Sequence, residues 1–269
     1  MPRHEEASFK LFIDCFPEEF DTLQLSLTVS LDPFIIRNPM NSVELQNLQK
    51  TMSDDTTLLA VSKTVPTDVL RQAYNLGLRQ FGENRVKDLL SKRQELLDLD
   101  IKWHYIGQLQ SNKAASLVGK VALIHTLDRI KIWNILKGEC ARLQTEQDCL
   151  VQVNISLEPQ KAGLAPQDLY EFLEKIDTDG LQFCKIKGLM CIGSPLNIVG
   201  ESRVRSEFKS MLEMFQELKN RNFEQVRMDI LSMGMSVDYP LALEFGSTLV
   251  RIGSAIFGPR RNKEYDHVI

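Results

Sequence analysis

Lys63 follows a short apolar run, a position that suits covalent chemistry with a carbonyl group. The run spans residues 58–61, and Pro66 interrupts the chain shortly after it. An ammonium group at the mouth of an apolar strand is poorly solvated, which lowers its pKa and leaves more free amine able to attack a carbonyl. Lys63 is therefore a candidate Schiff-base lysine. The alternative is a lysine that reaches past the strand end into water.

Two glycine-containing stretches late in the chain have the residue types of an anion site. In residues 231–236, hydroxyl groups flank Gly234, and in residues 253–258, Gly253 and Ser254 precede a short helical pattern. Backbone amides that converge at such turns bind phosphate groups. Each stretch alone is also compatible with an ordinary glycine turn. On adjacent strands of one sheet, the two together predict a phosphate site.

Arg251 lies inside the apolar run of residues 248–252. An unpaired charge buried there would cost several kcal/mol, so an acceptor must face the guanidinium group. The sequence leaves two candidates open, a structural carboxylate and the ring nitrogen of a bound cofactor.

Alternating strand and helix patterns are expected to position these residues. Strands are predicted at residues 58–62, 80–81, 101–106, 121–126, 149–155, 183–192, 228–231 and 248–252. Such alternation implies a parallel sheet, because each crossover returns the chain in the same direction. Eight units of about 25 residues predict an α/β fold with a single (β/α)8 TIM barrel, and a doubly wound open sheet is the alternative. In either fold, chemistry belongs at the carboxyl ends of the strands, where Lys63 lies.

The first 52 residues are predicted to form an N-terminal extension of uncertain structure, ahead of a barrel domain of residues 53–269. The extension is too apolar for a disordered linker but shows no sustained period. Near its end, Asn41 and the residues after it predict a short capped helix.

The composition limits the expected partners. The chain of 269 residues is 43% hydrophobic and 25% charged, with a formal net charge of -4. The basic cluster in residues 260–263 is too short to neutralise a nucleic-acid backbone, so we expect no nucleic-acid partner. Four histidines without His-x-x-x-His spacing predict no metal site. A monomer is expected.

Cysteine usage and hydropathy bear on the location of the protein. Five cysteines without a Cys-x-x-Cys pair indicate free thiols in a reducing compartment. No apolar run approaches the roughly 20 residues of a membrane helix, and the first residues lack the order of a signal peptide. We expect no membrane partner and a cytoplasmic location, with the nucleus as the alternative and a mitochondrial fraction left open.

Six motifs, in this order, resemble the YggS/PROSC family of pyridoxal-phosphate-binding homeostasis proteins. They are AVSKT from residue 60, FGEN from residue 81, WHYIGQLQSNK from residue 103, KGLM from residue 187, LSMGMS from residue 231 and VRIGSAIFG from residue 250. The resemblance covers about residues 58–260. The segment ahead of it does not resemble the usual leading helix of the family.

The resemblance implies a fold, a cofactor and a set of site residues. The fold is a single barrel similar to the cofactor domain of alanine racemase, and the cofactor is pyridoxal 5'-phosphate (PLP). Family members are implicated in balancing vitamin B6 and amino-acid pools, without established catalytic turnover. The implied site comprises Lys63 as the Schiff-base lysine, Ser232, Gly234, Gly253 and Ser254 at the phosphate, Arg251 at the pyridine nitrogen, and Asn84, Ser194 and Met235 near the pocket.

Three functional hypotheses remain at this stage. The first is a reversible PLP carrier without catalytic residues, with PLP-dependent apoenzymes as candidate recipients. The second is a PLP-dependent amino-acid racemase or lyase, and the third is a lysine aldolase that uses no PLP. A guanidinium group opposite the ring nitrogen disfavours carbanion chemistry, and the chain ends about ten residues after its last barrel element, so we expect the carrier. His104 and His125 are alternatives for an acid or base, or else core histidines.

Overall fold

The computed structural model describes residues 40–178 and 183–259, and its eight strands form a closed parallel barrel. The strands are β1 (Thr57–Val61), β2 (Gln80–Glu83), β3 (Lys102–Tyr105), β4 (Leu123–Leu127), β5 (Gln147–Val153), β6 (Cys184–Cys191), β7 (Val226–Met235) and β8 (Leu249–Ile252). Each strand pairs with its neighbours in chain order, and β1 closes the barrel by pairing with β8. The predicted TIM barrel is confirmed, and the open sheet is excluded because that last pairing exists.

Helices connect the strands and cover the outside of the barrel. They are α1 (Ser42–Thr51), α2 (Thr67–Asn75), α3 (Val86–Glu95), α4 (Ser111–Ala114), α5 (Ile130–Leu143), α6 (Leu169–Asp177), α7 (Leu196–Val199), α8 (Glu201–Lys219), α9 (Tyr239–Glu244) and α10 (Ser254–Phe257). Short 3-10 turns extend α4 at Ala115–Leu117 and precede α6 at Pro166–Asp168. The long α8 buries one face, as its helical spacing of apolar residues predicts.

Two separate apolar layers follow from the alternation of side chains along each strand. The larger one lies between the strands and the helices and includes Ala60, Phe81 and Trp103. The smaller one fills the barrel interior and consists of Leu59, Leu123, Leu150, Met190 and Leu249, with Ile106 and Ile230 packed against it. Because successive strand residues point to opposite faces, Leu59 and Ala60 belong to different layers.

The predicted capped helix before the first strand is confirmed as α1. The side chain of Asn41 accepts a hydrogen bond from the amide of Glu44 at 3.0 Å, which caps the helix. Leu45 and Leu48 are buried in the outer apolar layer, and the amide of Asn41 donates to the carbonyl of Ile256 at 2.9 Å. The division at residue 52 into an extension and a barrel domain stays a prediction, and residues 1–39 lie outside the described residues.

Gly188, in the KGLM motif, lies where the backbones of β6 and β7 approach each other closely. A Cβ atom at this position would lie 1.8 Å from the carbonyl oxygen of Ile230 on β7, and the φ angle is +148°. The register between β6 and β7 shifts at this residue. Glycine is therefore needed both for the close approach and for the backbone angle.

Gly188→Ala is expected to lower the free energy of unfolding by more than about 2 kcal/mol, because the new methyl group has neither room nor an allowed backbone angle. Gly138→Ala is the matched control, since nothing lies within 4 Å of the new carbon in α5. Replacing that helical glycine should raise stability by up to about 1 kcal/mol. Urea unfolding followed by circular dichroism measures both changes. Equal stabilities of the two variants would contradict the close approach.

Candidate functional site

Lys63 lies just beyond β1, at the carboxyl ends of the barrel strands, with its side chain half-buried. The next residue, Thr64, has a φ angle of +67°, which is uncommon for a β-branched residue. The amide of Val65 donates to the carbonyl of Ser62 at 3.0 Å and closes the turn. Such a strained turn costs about 1–3 kcal/mol and persists only where neighbouring groups enforce it.

A buried ion pair behind the barrel wall holds this turn. Glu83, at the end of β2, is fully buried, and its Oε1 accepts from the hydroxyl of Ser62 at 2.6 Å and from Nζ of Lys92 at 2.7 Å. Lys92, on α3, also donates to the carbonyl of Ser62 at 2.8 Å. The residue directly before Lys63 is thus fixed through both its side chain and its backbone. Sequence reasoning missed this network, although a charged residue inside the FGEN strand was a signal for it.

The guanidinium group of Arg251 is buried in the barrel interior and bonded to oxygen atoms of two neighbouring strands. Nη1 donates to the carbonyl and the hydroxyl of Ser232 at 2.9 and 2.7 Å, and Nη2 donates to the carbonyl of Cys191 at 2.7 Å. Burial lowers the pKa of Arg251, and Cys191 and Asp238 oppose that shift. Among the described residues, neutral oxygens rather than a carboxylate accept these hydrogen bonds. The guanidinium group can therefore still interact with an acceptor on a ligand.

Ser232, on β7, is fully buried with its hydroxyl against Arg251. The same hydroxyl lies 3.3 Å from Nδ1 of His125. The structure therefore brings Ser232 and Arg251 together. The contact of Ser232 with a phosphate group stays a prediction.

The carboxyl end of β7 turns tightly at Gly234. Its φ angle is +91°, and a Cβ atom there would lie 2.6 Å from Cβ of Ala242 and 3.0 Å from Cα of Tyr239. The amide of Met235 donates to Oδ1 of Asp238 at 2.6 Å, which fixes the turn after the glycine. Met235 is exposed at the rim of the barrel mouth.

Ser236 joins the two predicted anion loops. Its hydroxyl accepts from the amide of Gly253 at 3.3 Å, so the turns after β7 and β8 meet. A Cβ atom at Gly253 would lie 3.3 Å from the carbonyl oxygen of Val61, which brings the loop after β8 against the strand that precedes Lys63. Ser254 is exposed at the start of α10. Sequence reasoning did not select Ser236, although it lies in the LSMGMS motif.

Asn84 and Ser194 occupy different surroundings at the barrel mouth. Asn84 is exposed after β2, and its carbonyl oxygen lies 2.1 Å from the place of a Cβ atom at Gly107. Ser194 is buried after β6, and Glu207 of α8 accepts from its hydroxyl at 2.7 Å and from its amide at 2.8 Å. The hydroxyl of Ser194 is thus engaged by a carboxylate. Contact of either residue with a cofactor stays a prediction.

His104 and His125 form a buried pair inside the barrel. Trp103 and Tyr105 belong to the outer layer, so His104 between them faces inward. Nδ1 of His104 lies 2.9 Å from Nε2 of His125. Burial, and secondarily Lys102, lower the pKa of His104 to about 3. Burial also lowers the pKa of His125, assisted by His104 and Arg251, so both rings are neutral at pH 7.

A cavity of about 250 Å³ opens at the mouth of the barrel. Its lining comes from the ends of β3, β5 and β6 and consists of Ile106, Gln108, Gln152, Val153, Asn154, Lys161, Ala162 and Ile192. Nζ of Lys161 is paired with Glu158 at 2.7 Å and donates to the carbonyl of Gly193 at 3.2 Å. The side-chain Nδ2 of Asn154 donates to the carbonyls of Glu158 and Lys161. The cavity wall is thus held by its own hydrogen bonds.

Other site classes find no support in the described part of the chain. Residues 40–178 and 183–259 contain no cluster of three histidine, cysteine or acidic side chains that could hold a metal ion. No helix within these ranges has the length and hydropathy needed to cross a membrane. The cysteines described as free thiols are all buried: Cys140, Cys149, Cys184 and Cys191.

Comparison with solved structures supports the fold. PipY of Synechococcus elongatus PCC7942, solved with PLP bound, matches with a TM-score of 0.74 and 37% identity over 81% of this chain and 99% of that chain. Alanine racemase of Clostridium difficile 630 shares only the fold, with a TM-score of 0.65 and 12% identity over 82% of this chain and 57% of that chain.

Sequence comparison gives the family. The family model described as "Alanine racemase, N-terminal domain" matches residues 43–261. A pyridoxal phosphate homeostasis protein of Aquifex aeolicus is 43% identical over 76% of this chain and 87% of its own length. One of Schizosaccharomyces pombe is 35% identical over 84% of this chain and 93% of its own length. Given the identity to such relatives over most of its length, the chain belongs to the pyridoxal phosphate homeostasis protein family.

Proposed function

We propose that this protein binds PLP covalently through Lys63 at the barrel mouth and helps to keep the intracellular pools of PLP and amino acids in balance. One observation carries the proposal. The turn that bears Lys63, the buried charge of Arg251 and the joined loops after β7 and β8 all lie at the carboxyl ends of neighbouring strands β7, β8 and β1. Such an edge is where TIM barrels bind their ligands.

The loops after β7 and β8 suit a phosphate group. Neither Gly234 nor Gly253 has a side chain, so the backbone packs closely at both positions, and the Ser236 hydroxyl accepts from the amide of Gly253 in the second loop. Backbone amides and hydroxyls bind phosphate oxygens through short charge-assisted hydrogen bonds. In the proposal, Ser236, Gly253 and Ser254 contact the phosphate, and Gly234 provides the turn that lets them converge. Ser236 takes the role predicted for Ser232, because the Ser232 hydroxyl is buried against Arg251 and His125.

Lys63 supplies the amine for attachment. Its position is set by the buried Glu83–Lys92 pair, which fixes Ser62 just before it. When bound, PLP supplies an aldehyde carbon that amines attack and a ring that withdraws electrons. Covalent attachment at Lys63 together with phosphate contacts gives tight but reversible binding, which is what a carrier needs.

Arg251 is assigned to the pyridine nitrogen. A guanidinium group only donates hydrogen bonds, and it stays charged even when burial lowers its pKa. A ring nitrogen that accepts from Arg251 remains unprotonated, so it stabilises negative charge weakly. The assignment favours a binding protein over the racemase or lyase alternative. We therefore propose that the protein has no catalytic turnover and passes PLP to PLP-dependent apoenzymes.

The proposal places the protein in a reducing compartment, the cytoplasm in the first instance, because its four described cysteines are unpaired thiols. It acts there as a monomer, without a nucleic-acid or membrane partner. Asn84, Ser194 and Met235 are proposed to shape the pocket rim.

Lys63→Ala is expected to abolish covalent attachment while leaving measurable noncovalent binding, because the phosphate contacts remain. The measurement is the visible absorption of the PLP-loaded protein, followed by borohydride reduction and peptide mapping. Lys113→Ala, an exposed change on α4, is the control and should keep the adduct. A reduced adduct elsewhere than on Lys63 would show that another lysine is the attachment site.

Ser236→Ala is expected to weaken PLP binding about tenfold or more, because a hydrogen bond to a charged group contributes about 1.5–3 kcal/mol. Binding of pyridoxal, which has the same ring and aldehyde but no phosphate, should change little. Fluorescence titration with both ligands measures the ratio of their dissociation constants. An equal loss for the two ligands would remove the phosphate assignment of Ser236.

The absence of turnover can be tested by exchange of the α-proton of amino acids in deuterated water. We expect the PLP-loaded protein to exchange no faster than free PLP at the same concentration, for each of the common amino acids. Nuclear magnetic resonance of the α-proton signals measures the rate. Sustained exchange of one amino acid would establish the racemase or lyase alternative.

A further inference from the structure

A chain of hydrogen bonds runs through the barrel interior beneath the proposed ring site. It passes from Arg251 to the Ser232 hydroxyl at 2.7 Å, from that hydroxyl to Nδ1 of His125 at 3.3 Å, and from Nε2 of His125 to Nδ1 of His104 at 2.9 Å. All four side chains are buried. The function proposed above uses only Arg251 directly, so the other members need an explanation.

Arg251, at one end of this series of hydrogen bonds, determines which atom donates and which accepts in every bond of the series. Arg251 can only donate, so the Ser232 hydroxyl accepts from it and has its own proton to give to Nδ1 of His125. A neutral His125 then carries its proton on Nε2 and donates to Nδ1 of His104. His104 in turn carries its proton on Nε2. That nitrogen is buried and has no hydrogen-bond partner among the described residues, which marks it as the end of the chain.

We propose that His125, with His104 behind it, is a positioning residue that holds Ser232 as an acceptor for Arg251 and so aims the guanidinium group at the pyridine nitrogen of PLP. The identity of the ligand in this inference rests on the proposed function. The hydrogen-bond network itself rests on the contacts described above. Without His125, the Ser232 hydroxyl has no fixed orientation, and Nη1 of Arg251 loses a directed acceptor. The carbonyls of Ser232 and Cys191 still bind the guanidinium group, so Arg251 stays buried but is less well aimed.

The network requires neutral histidines. An imidazolium at His125 would donate from both nitrogens and could no longer accept from Ser232. It would also place a second positive charge beside Arg251 in a medium of low polarity. The lowered pKa values of both rings agree with this requirement. Two adjacent neutral rings therefore supply polarity to the barrel interior without a charge that competes with the guanidinium group.

The donor and acceptor assignments in this series of hydrogen bonds can be tested without any cofactor. In the cofactor-free protein labelled with 15N-histidine, two-bond proton–nitrogen correlation spectra should show His104 and His125 as neutral Nε2–H tautomers between pH 6 and 8. Loss of signals in His4→Gln and His267→Gln variants identifies the other two rings. In Ser232→Ala, Nδ1 of His125 has lost its hydrogen-bond donor, so His125 should no longer be held in the Nε2–H tautomer. A charged ring, or a proton on Nδ1 of either residue in the unsubstituted protein, would overturn the proposed direction.

The positioning role is tested with ligands that cannot attach to Lys63. Pyridoxine 5'-phosphate keeps the ring nitrogen and the phosphate but carries an alcohol in place of the aldehyde, and its 1-deaza analogue lacks the ring nitrogen. The protein should prefer the nitrogen-containing ligand, and His125→Leu should reduce that preference about three- to tenfold, the worth of one hydrogen bond. His125→Asn, whose Oδ1 can still accept from Ser232, should restore part of it.

A double-substitution cycle separates this role from general damage to the barrel. Ser232→Ala should reduce the preference as His125→Leu does, and the combined variant should lose no more than either one, because both act on the same bond. Leu123→Val, in the same strand and in the interior apolar layer, is the control and should keep the preference. Thermal unfolding of each cofactor-free variant shows that it is folded.

The outcomes are distinct. A full preference in His125→Leu, or additive losses in the combined variant, would overturn the positioning role while leaving PLP binding intact. Binding of neither ligand by the unsubstituted protein would overturn the proposed function, and with it any role toward the ring. In that case the tautomer spectra still decide the direction of the chain. A preference that falls in both single variants, does not fall further in the combined variant, and survives in Leu123→Val would support the proposal.

Discussion

A buried guanidinium group that is bonded only to neutral oxygens among the described residues is the feature on which the proposed site depends. Arg251 lies on β8, and its described acceptors come from β6 and β7. Three neutral acceptors bind the guanidinium group but place no carboxylate in direct contact with its charge, which is costly unless a ligand or a dipolar surrounding offsets it. The barrel allows for both. Its interior directs carbonyl and hydroxyl dipoles at the charge, and its open end admits a ligand.

Closure of the barrel turns residues that are far apart in the sequence into neighbours. Leu59 pairs with Arg251 in the register of β1 and β8, so the strand that leads to Lys63 lies beside the strand of the arginine. The glycine turn after β8 then packs against the carbonyl of Val61. The same contacts that stabilise the closed sheet therefore bring an amine, a cation and the amide-bearing loops to one edge. In a doubly wound sheet built from the same strands, β1 and β8 would not pair with each other.

The sequence predicted the periodic features of this fold well and its long-range polar contacts poorly. Alternation of strands and helices located all eight strands, because burial of each strand imposes its own local pattern. The capping of α1 was also visible, since Asn41 and its partner Glu44 are neighbours in the chain. The pairing of Glu207 with Ser194 and of Glu83 with Lys92 could not be read in this way. These contacts join different elements, and their geometry depends on register and helix packing, which no local pattern encodes.

The inward-facing histidines show why the same residue types were ambiguous in the sequence. Strand periodicity allowed His104 to point either way, and only its neighbours in the outer layer, Trp103 and Tyr105, decide the question. Once it points inward, burial keeps the ring neutral, and a neutral ring can pass a hydrogen bond from one nitrogen to the other. A leucine pair would fill the same volume but would give the Ser232 hydroxyl nothing to donate to. An imidazolium would repel Arg251, so a neutral histidine pair packs the interior without adding a second positive charge beside the arginine.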